Sequence, residues 1–424
     1  MSIHHKQVNG YCARGPCPRR RPRGVVDTSD RRVREDAPVV TVVQAASEKR
    51  LRRRSWPVAG WVALLATAAH AGNPAVLERL TPGQWLELPD TKLIDAAPRT
   101  SPGGSTLKVV TWSGGAYDSR HDAVLVWGGG HSDYAGNEVY AFDLGTQRWQ
   151  RLTEPSVADR ARTPAYPDGQ PRARHTYNYL EYVPSIERLL CFGASGPWPG
   201  GGGEFSREVL EFDVDKRRWT SGTRADVPSS SGTLIGAQAR LDPVSGRIFV
   251  IGSQRATLQA YDPGTNRWSS GWTPVRVRVH ATAAIDPVRR EFMLIGSGGK
   301  AGAQALRWHL DRPGDAEDLA SRTSGDKQIE AAYAPGFDYD AVARQLVAWS
   351  GGTDIFVFDA DKTRWTRLPA ATGNPVDPGP ANPTGTFGRF RYAARHDAFV
   401  LVNRADQNVF MYRPARRSVP IIPR

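Results

Sequence analysis

Cysteine is scarce in this 424-residue chain, and its distribution excludes several kinds of site. There are three cysteines, and two of them, Cys12 and Cys17, lie in an arginine-rich leader. The remaining one, Cys191, stands in the apolar run RLLCFG, where a small core residue is a simpler interpretation than a nucleophile. A disulfide framework and a cysteine-based zinc site are therefore excluded from the mature part of the chain.

Long hydrophobic runs and a strongly basic folded region are also missing. The apolar run from Trp56 to Ala69 is shorter than the roughly 20 residues that a membrane-spanning helix needs. The net charge is +13, but +9 of it belongs to residues 1–71, which leaves only +4 for residues 72–424. A nucleic-acid binder would carry a basic stripe on its folded part. The sequence therefore predicts neither a nucleic-acid partner nor a stable membrane span.

The leader divides into two segments. Residues 1–50 show no helical or strand periodicity, and we expect them to be disordered or to precede the true translation start. Residues 51–71 combine three arginines, an apolar run and the sequence Ala69-His70-Ala71. A charged region, an apolar region and a small-residue cleavage site in this order are typical of a secretory signal peptide. We therefore predict a periplasmic or secreted protein.

The remainder of the chain repeats. Segments such as VYAFDLGTQRW, VLEFDVDKRRW, LQAYDPGTNRW and IFVFDADKTRW each contain a β-type run, an aspartate, a polar turn and Arg-Trp. The aligned aspartates are Asp143, Asp213, Asp262, Asp311 and Asp359, and most are 48 or 49 residues apart. Repeats of about 40–50 residues are typical of propeller blades.

A second pattern precedes each copy: two apolar runs joined by a short turn, which predicts a β-hairpin. Each unit would then hold four strands, a to d, with the tryptophan at the start of strand d. Six units can be counted, but the sixth lacks its strand d, and GQWLELPDTKL at residues 83–93 supplies a matching one. Such closure removes open sheet edges. The sequence predicts an all-β fold, a six-bladed β-propeller over residues 75–424 whose last blade is closed by an N-terminal strand.

The diglycines after strand b (Gly128-Gly129 and Gly351-Gly352), the aromatic residue and aspartate of strand c and the tryptophan of strand d resemble the kelch repeat. The resemblance covers nearly all of the mature chain, and it implies a kelch-type propeller similar to the galactose-oxidase-like superfamily. Because a fold does not determine a function, it implies no particular activity.

Propeller geometry sorts the histidines of the mature chain by face. The a–b and c–d turns share one face, and the b–c loops and d–a connections share the other. His121 and His396 fall in a–b turns, and His309 falls in a strand c. His131, His175 and His280 fall on the b–c/d–a face, near the central opening. We predict that a carbohydrate or protein ligand binds there.

Two groups of residues on that face are candidates for chemistry. His131, His175 and Tyr177 would transfer protons, because histidine titrates near neutral pH. Arginine suits a carboxylate through paired hydrogen bonds. The predicted substrate-binding residues are Tyr134, Arg174, His280, Arg389 and Arg391.

Three functions fit these residues. The protein could recognise or process a carbohydrate, possibly an acidic one, with polysaccharide lyase or sugar mutarotase as the enzymatic forms. It could equally be a non-catalytic module that binds protein or glycan. A galactose-oxidase-like copper enzyme fits less well, since Cys191 lacks a recognisable tyrosine partner motif. We predict a monomer without a cofactor, and the sequence leaves a bound metal open.

Overall fold

A computed structural model describes residues 77–200, 203–220, 222–298 and 302–415. The predicted leader and signal segments, residues 1–50 and 51–71, lie outside these ranges. The described strands form six small antiparallel sheets arranged as the blades of a β-propeller, as predicted. Short 3-10 helices occur at Leu93–Ala96, Thr106–Lys108, Ser229–Ser231, Lys327–Ala331, Phe387–Arg389 and Ala394–His396.

The first three blades follow the order a-b-c-d along the chain. Blade 1 consists of Gly115–Asp118, Ala123–Val126, Tyr140–Asp143 and Arg148–Arg151. Blade 2 consists of Leu180–Val183, Arg188–Ser195, Glu204–Asp213 and Arg218–Thr220. Blade 3 consists of Thr233–Leu241, Ile248–Ala256, Gln259–Asp262 and Arg267–Ser270, and Val275–Val277 pairs with its strand b.

Blades 4 and 5 repeat the order, with a short strand d in blade 4. Blade 4 consists of Thr282–Asp286, Glu291–Ile295, Ala305–His309 and Glu317–Asp318. Blade 5 consists of Gly336–Asp340, Gln345–Trp349, Ile355–Asp359 and Arg364–Leu368, and the two-residue strand Ser324–Gly325 runs parallel to its strand d.

The N-terminal strand closes the ring, which confirms the prediction from the sequence. Blade 6 takes its strands a to c from Phe390–Ala393, Ala398–Leu401 and Val409–Tyr412. Its strand d is Trp85–Leu88, which pairs antiparallel with Val409–Tyr412. Residues more than 300 positions apart in sequence therefore share one sheet, and blade 6 has four strands like the other blades.

A repeated cross-strand pair explains the tryptophan of the sequence repeat. In five blades a tryptophan of strand d lies directly opposite an aromatic residue of strand c, with ring centroids 4.8–5.2 Å apart. Such pairs stabilise a sheet beyond the burial of their area. The pairs are Trp149 with Phe142, Trp219 with Phe212, Trp268 with Tyr261, Trp365 with Phe358, and Trp85 with Tyr412.

The conserved spacing of the repeat aspartates has an equally local cause. Asp143 Oδ1 accepts a hydrogen bond of 2.7 Å from the Thr146 backbone N–H, and Asp213 accepts one of 2.9 Å from Lys216. Asp262 and Asp359 accept the same kind of bond. An aspartate that binds backbone N–H groups two or three residues on stabilises a tight turn. These aspartates therefore form the c–d turns and are not free for chemistry.

Within the described ranges, no helix combines the length and the apolar character required to cross a membrane. Cys191 lies in strand b of blade 2, fully buried in the largest hydrophobic cluster, and burial raises the pKa of its thiol to about 12. Its position supports the interpretation as a core residue.

Candidate functional site

A ring of residues with left-handed backbone conformation surrounds the central opening on the b–c/d–a face. One such residue lies just before strand a, or early in it, in each blade, with φ between 39° and 73°. Backbone bonds join some neighbours: Tyr177 N–H donates to Trp112 O and Ala334 N–H to His280 O, both at 2.8 Å. Residues other than glycine rarely adopt this conformation, and such strain is often found at functional sites. The six are Trp112, Tyr177, Gly236, His280, Ala334 and Phe387.

A cavity of about 430 Å³ opens at this ring, and we call it the histidine cavity. It brings together four of the predicted site residues from blades 1, 2 and 4. Trp112 and Asp133 add an aromatic ring and a carboxylate to its wall. Its described lining comprises Trp112, His131, Asp133, His175, Tyr177, Ser195, Gly196, Gly203, Ile235 and His280.

His175 is the best-positioned polar group of the cavity. Its Nε2 lies 3.2 Å from Asp133 Oδ2, which fixes Nε2 as the protonated nitrogen and leaves Nδ1 as the basic one. Burial lowers the pKa of His175, although the Asp133 carboxylate opposes the effect. The imidazole is therefore neutral at pH 7. A Cβ at Gly196 would come within 2.7 Å of His175 Nδ1, so this approach requires glycine.

Asp133 carries the negative charge of the cavity. Burial works against ionisation, but the hydrogen bond from His175 and the charge of Lys108 hold the pKa of Asp133 below its usual value. Lys108 Nζ is 3.6 Å from Asp133 Oδ1. The carboxylate is thus ionised, and it can orient a ligand hydroxyl as well as the His175 ring.

His131 faces His175 across the blade 1–blade 2 boundary. The two rings are parallel within 2°, with centroids 5.8 Å apart. The backbone N–H of Ser132 donates to His131 Nδ1 at 2.8 Å, and His131 N–H donates to Gly196 O at 2.7 Å. His131 adopts φ of 48°, so the b–c loop of blade 1 turns back at this residue. His131 and Asp133 of the polar sequence HSDYAG therefore both lie beside His175.

His280 forms the far wall together with two aromatic residues. Its ring stacks on Tyr333 with a centroid distance of 4.5 Å, and the Tyr333 hydroxyl accepts a 2.8 Å hydrogen bond from Trp112 Nε1. Burial lowers the pKa of His280 to about 4, so the ring is neutral. Its buried Nδ1 has no hydrogen-bond partner among the described residues. A ligand hydroxyl could satisfy it.

Tyr177 lies between the two histidine walls. Its ring is 5.9 Å from that of His175 and 6.3 Å from that of His280. Burial raises the pKa of Tyr177 to about 12, and its hydroxyl lies beside that of Ser195. The phenol is therefore protonated at neutral pH and can donate a hydrogen bond or a proton to a ligand.

Arg174 and Arg389, two of the predicted substrate-binding arginines, lie outside the described lining of the histidine cavity. Arg389 is fully buried and donates to the backbone carbonyls of Ser113, Val402, Asn403 and Gly385. Arg174 is buried as well and donates to the carbonyls of Arg172, Gly193 and Pro164, while its guanidinium stacks on Trp127. Both satisfy carbonyl groups that would otherwise be buried without a donor.

Arg391 binds a carboxylate, but this carboxylate belongs to the protein. Its Nη2 is 2.9 Å from Glu181 Oε2, and Arg240 in turn contacts Asp338 and lies 3.8 Å from Glu181. These four residues lie in strands a of blades 6, 2, 3 and 5, and we call them the charge ring. The small Ala116 and Ala284 occupy the corresponding positions of blades 1 and 4. The charge ring is part of the channel interior, away from the histidine cavity.

Tyr134 is completely buried, and its hydroxyl donates to Glu138 Oε1 at 2.8 Å. It is not part of the described cavity lining. It closes the b–c loop of blade 1 from within, because its carbonyl accepts a 2.7 Å hydrogen bond from Gly130 N–H. The loop holds His131 and Asp133 through this anchor.

Sequence reasoning missed Trp112, Ser195 and Tyr333 at the site. Trp112 and Tyr333 precede strands a of blades 1 and 5, outside the repeated motifs. Alignment of the residue two or three positions before each strand a would have identified Trp112 and Phe387 along with Tyr177 and His280.

No protein-family model matches this chain, and no curated protein matches it either. The β-propeller architecture therefore rests on the fold itself. Membership of the kelch superfamily stays a prediction from the sequence repeat.

Proposed function

We propose that the protein binds a carbohydrate in the histidine cavity, and that the bound sugar units are neutral. The observation that carries the proposal is the combination, in one cavity, of aromatic rings at Trp112 and Tyr177 with the Asp133–His175 hydrogen-bonded pair. A β-propeller fold is consistent with a binding role. Cavities of roughly 300–1,000 Å³ hold small ligands, and 430 Å³ lies within this range.

Sugar rings have apolar faces and polar edges, so they need both kinds of group. Trp112 and Tyr177 offer apolar surface, whereas Asp133 accepts hydrogen bonds and the Tyr177 hydroxyl donates them. The described lining contains no arginine. Since Arg174, Arg389 and Arg391 are bonded to groups of the protein, neutral sugars fit the cavity better than uronates do.

A direct test measures binding of neutral and acidic oligosaccharides by calorimetry. We expect saturable binding of a neutral oligosaccharide by the native protein, and at least tenfold weaker binding by Trp112→Ala. Trp198→Ala is a matched control, because Trp198 lies outside the described lining. Equal affinity of both variants would place the ligand elsewhere. Binding of a protein ligand on this face, without any glycan, would favour the alternative recognition role.

A second function is favoured by the protonation states of the site. Neutral His175, held by Asp133, is suited to accept a proton, and protonated Tyr177 is suited to donate one. This pairing would support processing of the bound neutral sugar, as in a mutarotase. A polysaccharide lyase acts on uronates, which fit this cavity less well. Mutarotase activity would accelerate the interconversion of the two anomers, which polarimetry measures. Binding without faster interconversion over a broad panel of sugars would leave recognition as the function.

We also propose that the propeller is kelch-type and that it is exported. The kelch assignment rests on the positions of the diglycines, the aspartates and the tryptophans of the repeat. The proposal of export rests on the arrangement of residues 51–71. Mass spectrometry of the protein purified from its native source should find a mature N-terminus near Gly72. A mature chain that retains residues 51–71 would contradict export through this segment.

A further inference from the structure

The central channel has a second opening on the opposite face, where strands a end and the a–b turns begin. Residues from all six blades line a cavity of about 320 Å³ there. In four blades the last residues of strand a include a tyrosine that lines it: Tyr117, Tyr182, Tyr339 and Tyr392. Leu241 and Ile285 take the corresponding positions in blades 3 and 4. We call this opening the tyrosine mouth.

The floor of the tyrosine mouth is the charge ring. Two arginines and two carboxyl groups alternate around it. Glu181 is paired with Arg391 and Asp338 with Arg240, and all four side chains are buried. A charged ligand could gain an ion pair here only by weakening one that already exists, which is costly in a buried site.

One donor of the floor is unsatisfied. Arg240 lines the tyrosine mouth, and its buried Nη1 has no hydrogen-bond partner among the described residues. Glu181 Oε2, at 3.8 Å, is beyond hydrogen-bonding distance. A buried donor without an acceptor is unfavourable, so a ligand oxygen at this position would be stabilising.

We propose that the tyrosine mouth is a second binding site, which takes a neutral ligand with a planar ring and a terminal oxygen acceptor. The ring packs between the tyrosines and the apolar rim, and the oxygen accepts a hydrogen bond from Arg240 Nη1. This site is independent of the histidine cavity, because it lies at the other end of the channel and shares no lining residue with it.

The charged groups of the floor indicate that the ligand is neutral. A carboxylate would lie beside Glu181 and Asp338, and burial already raises the pKa of Glu181 to about 7 and that of Asp338 as well. A cation would lie beside Arg240 and Arg391, and both carboxylates are engaged. A carbonyl or hydroxyl oxygen meets the unsatisfied donor without either conflict.

Three planar probes of nearly equal shape test the proposal: benzamide, benzoate and benzamidinium. Titration by saturation-transfer NMR gives the affinity of each for the full-length protein. Benzamide is expected to bind at least tenfold more tightly than either charged probe. Ser119→Trp, an exposed position at the rim, should abolish this binding, while Ser119→Ala and Trp112→Ala should leave it within twofold.

A second variant is needed because the side chain introduced by Ser119→Trp could turn away from the tyrosine mouth and leave it open. Tyr339→Ala removes one ring of the site, and it should weaken benzamide at least fivefold in a protein whose melting is still cooperative. The proposal is overturned if benzamide shows no saturable binding or if a charged probe binds equally well. It is also overturned if neither Ser119→Trp nor Tyr339→Ala changes the affinity, or if Trp112→Ala abolishes it.

Discussion

His175 Nε2 and Asp133 Oδ2 lie 3.2 Å apart, although the two residues come from different blades. Asp133 belongs to the b–c loop of blade 1, and His175 belongs to the segment that enters blade 2. The pair joins the two blades at the mouth of the channel. It also sets the tautomer of His175, so that Nδ1 is the basic nitrogen.

Replacement of Asp133 by asparagine should lower the pKa of His175 further. The carboxylate is the group that opposes the effect of burial, and an amide cannot replace its charge. NMR titration of the imidazole signals measures the change. Asp168→Asn, at an exposed turn aspartate, should leave the pKa of His175 unchanged. An unchanged or higher pKa in Asp133→Asn would show that the pair does not form.

Arg389 should matter for stability far more than a surface arginine. Arg389→Met leaves several buried carbonyls without their donor, and we expect the free energy of unfolding to fall by about 3 kcal/mol or more. Arg404→Met removes an exposed ion pair with Asp406 and should change it by less than about 1 kcal/mol. Denaturant unfolding compares the two. A similar, small loss in both would show that Arg389 is not needed to satisfy these carbonyls.

Closure of the ring by the N-terminal strand predicts a large effect at Trp85. This residue is buried, packs on Tyr412 and donates to Thr353 O of blade 5, so Trp85→Ala should lower the free energy of unfolding by about 3–5 kcal/mol. Glu87→Ala alters an exposed residue of the same strand and should have an effect of less than about 1 kcal/mol. Equal melting temperatures for native protein and Trp85→Ala would contradict the closure.

His121 should make the junction of blades 1 and 2 sensitive to pH. Its Nδ1 lies 2.7 Å from Asp118 Oδ2 and its Nε2 2.9 Å from Asp215 Oδ1. Burial opposes protonation, but the hydrogen bonds and charges of both aspartates raise the pKa of His121 above 6.5. The stabilisation is therefore complete below pH 6.5 and is lost as the pH rises through the folded-state pKa.

The measurement is the melting temperature of native protein and of His121→Gln between pH 5.5 and 8.5. The native protein should be the more stable at the acid end, and the difference should shrink toward pH 8.5. His175 and His280 have lowered pKa values and act in the opposite direction, but they are common to both proteins and cancel in the difference. A constant difference over the range would rule out this linkage.

Much of the fold could be predicted because propeller blades repeat their local physics. The Trp149–Phe142 pair and the Asp143 turn recur with nearly fixed spacing, so the periodicity of the sequence reveals the blades. Closure by Trp85 could be predicted from the one missing strand d. Blade 4 departs from the pattern, because Trp308 of its strand c packs on Phe292 of strand b and its strand d has only two residues.

The site was less predictable, and the arginines show why. Sorting by face brought His131, His175, Tyr177 and His280 together, since the face depends only on strand direction. Whether an arginine near a strand start reaches the cavity or a carbonyl depends on the depth of its side chain in the channel. Arg389 turns inward to a backbone carbonyl and Arg391 to the Glu181 carboxylate, and nothing in their local sequence indicates it.

The most direct test of the account is a glycan array probed with the labelled native protein and with the double variant Trp112→Ala, Asp133→Asn. The native protein is predicted to bind a subset of neutral glycans, and the double variant to bind none of them while melting cooperatively. Retention of the same glycans by the double variant, or no glycan bound by the native protein, would contradict a carbohydrate site in the histidine cavity.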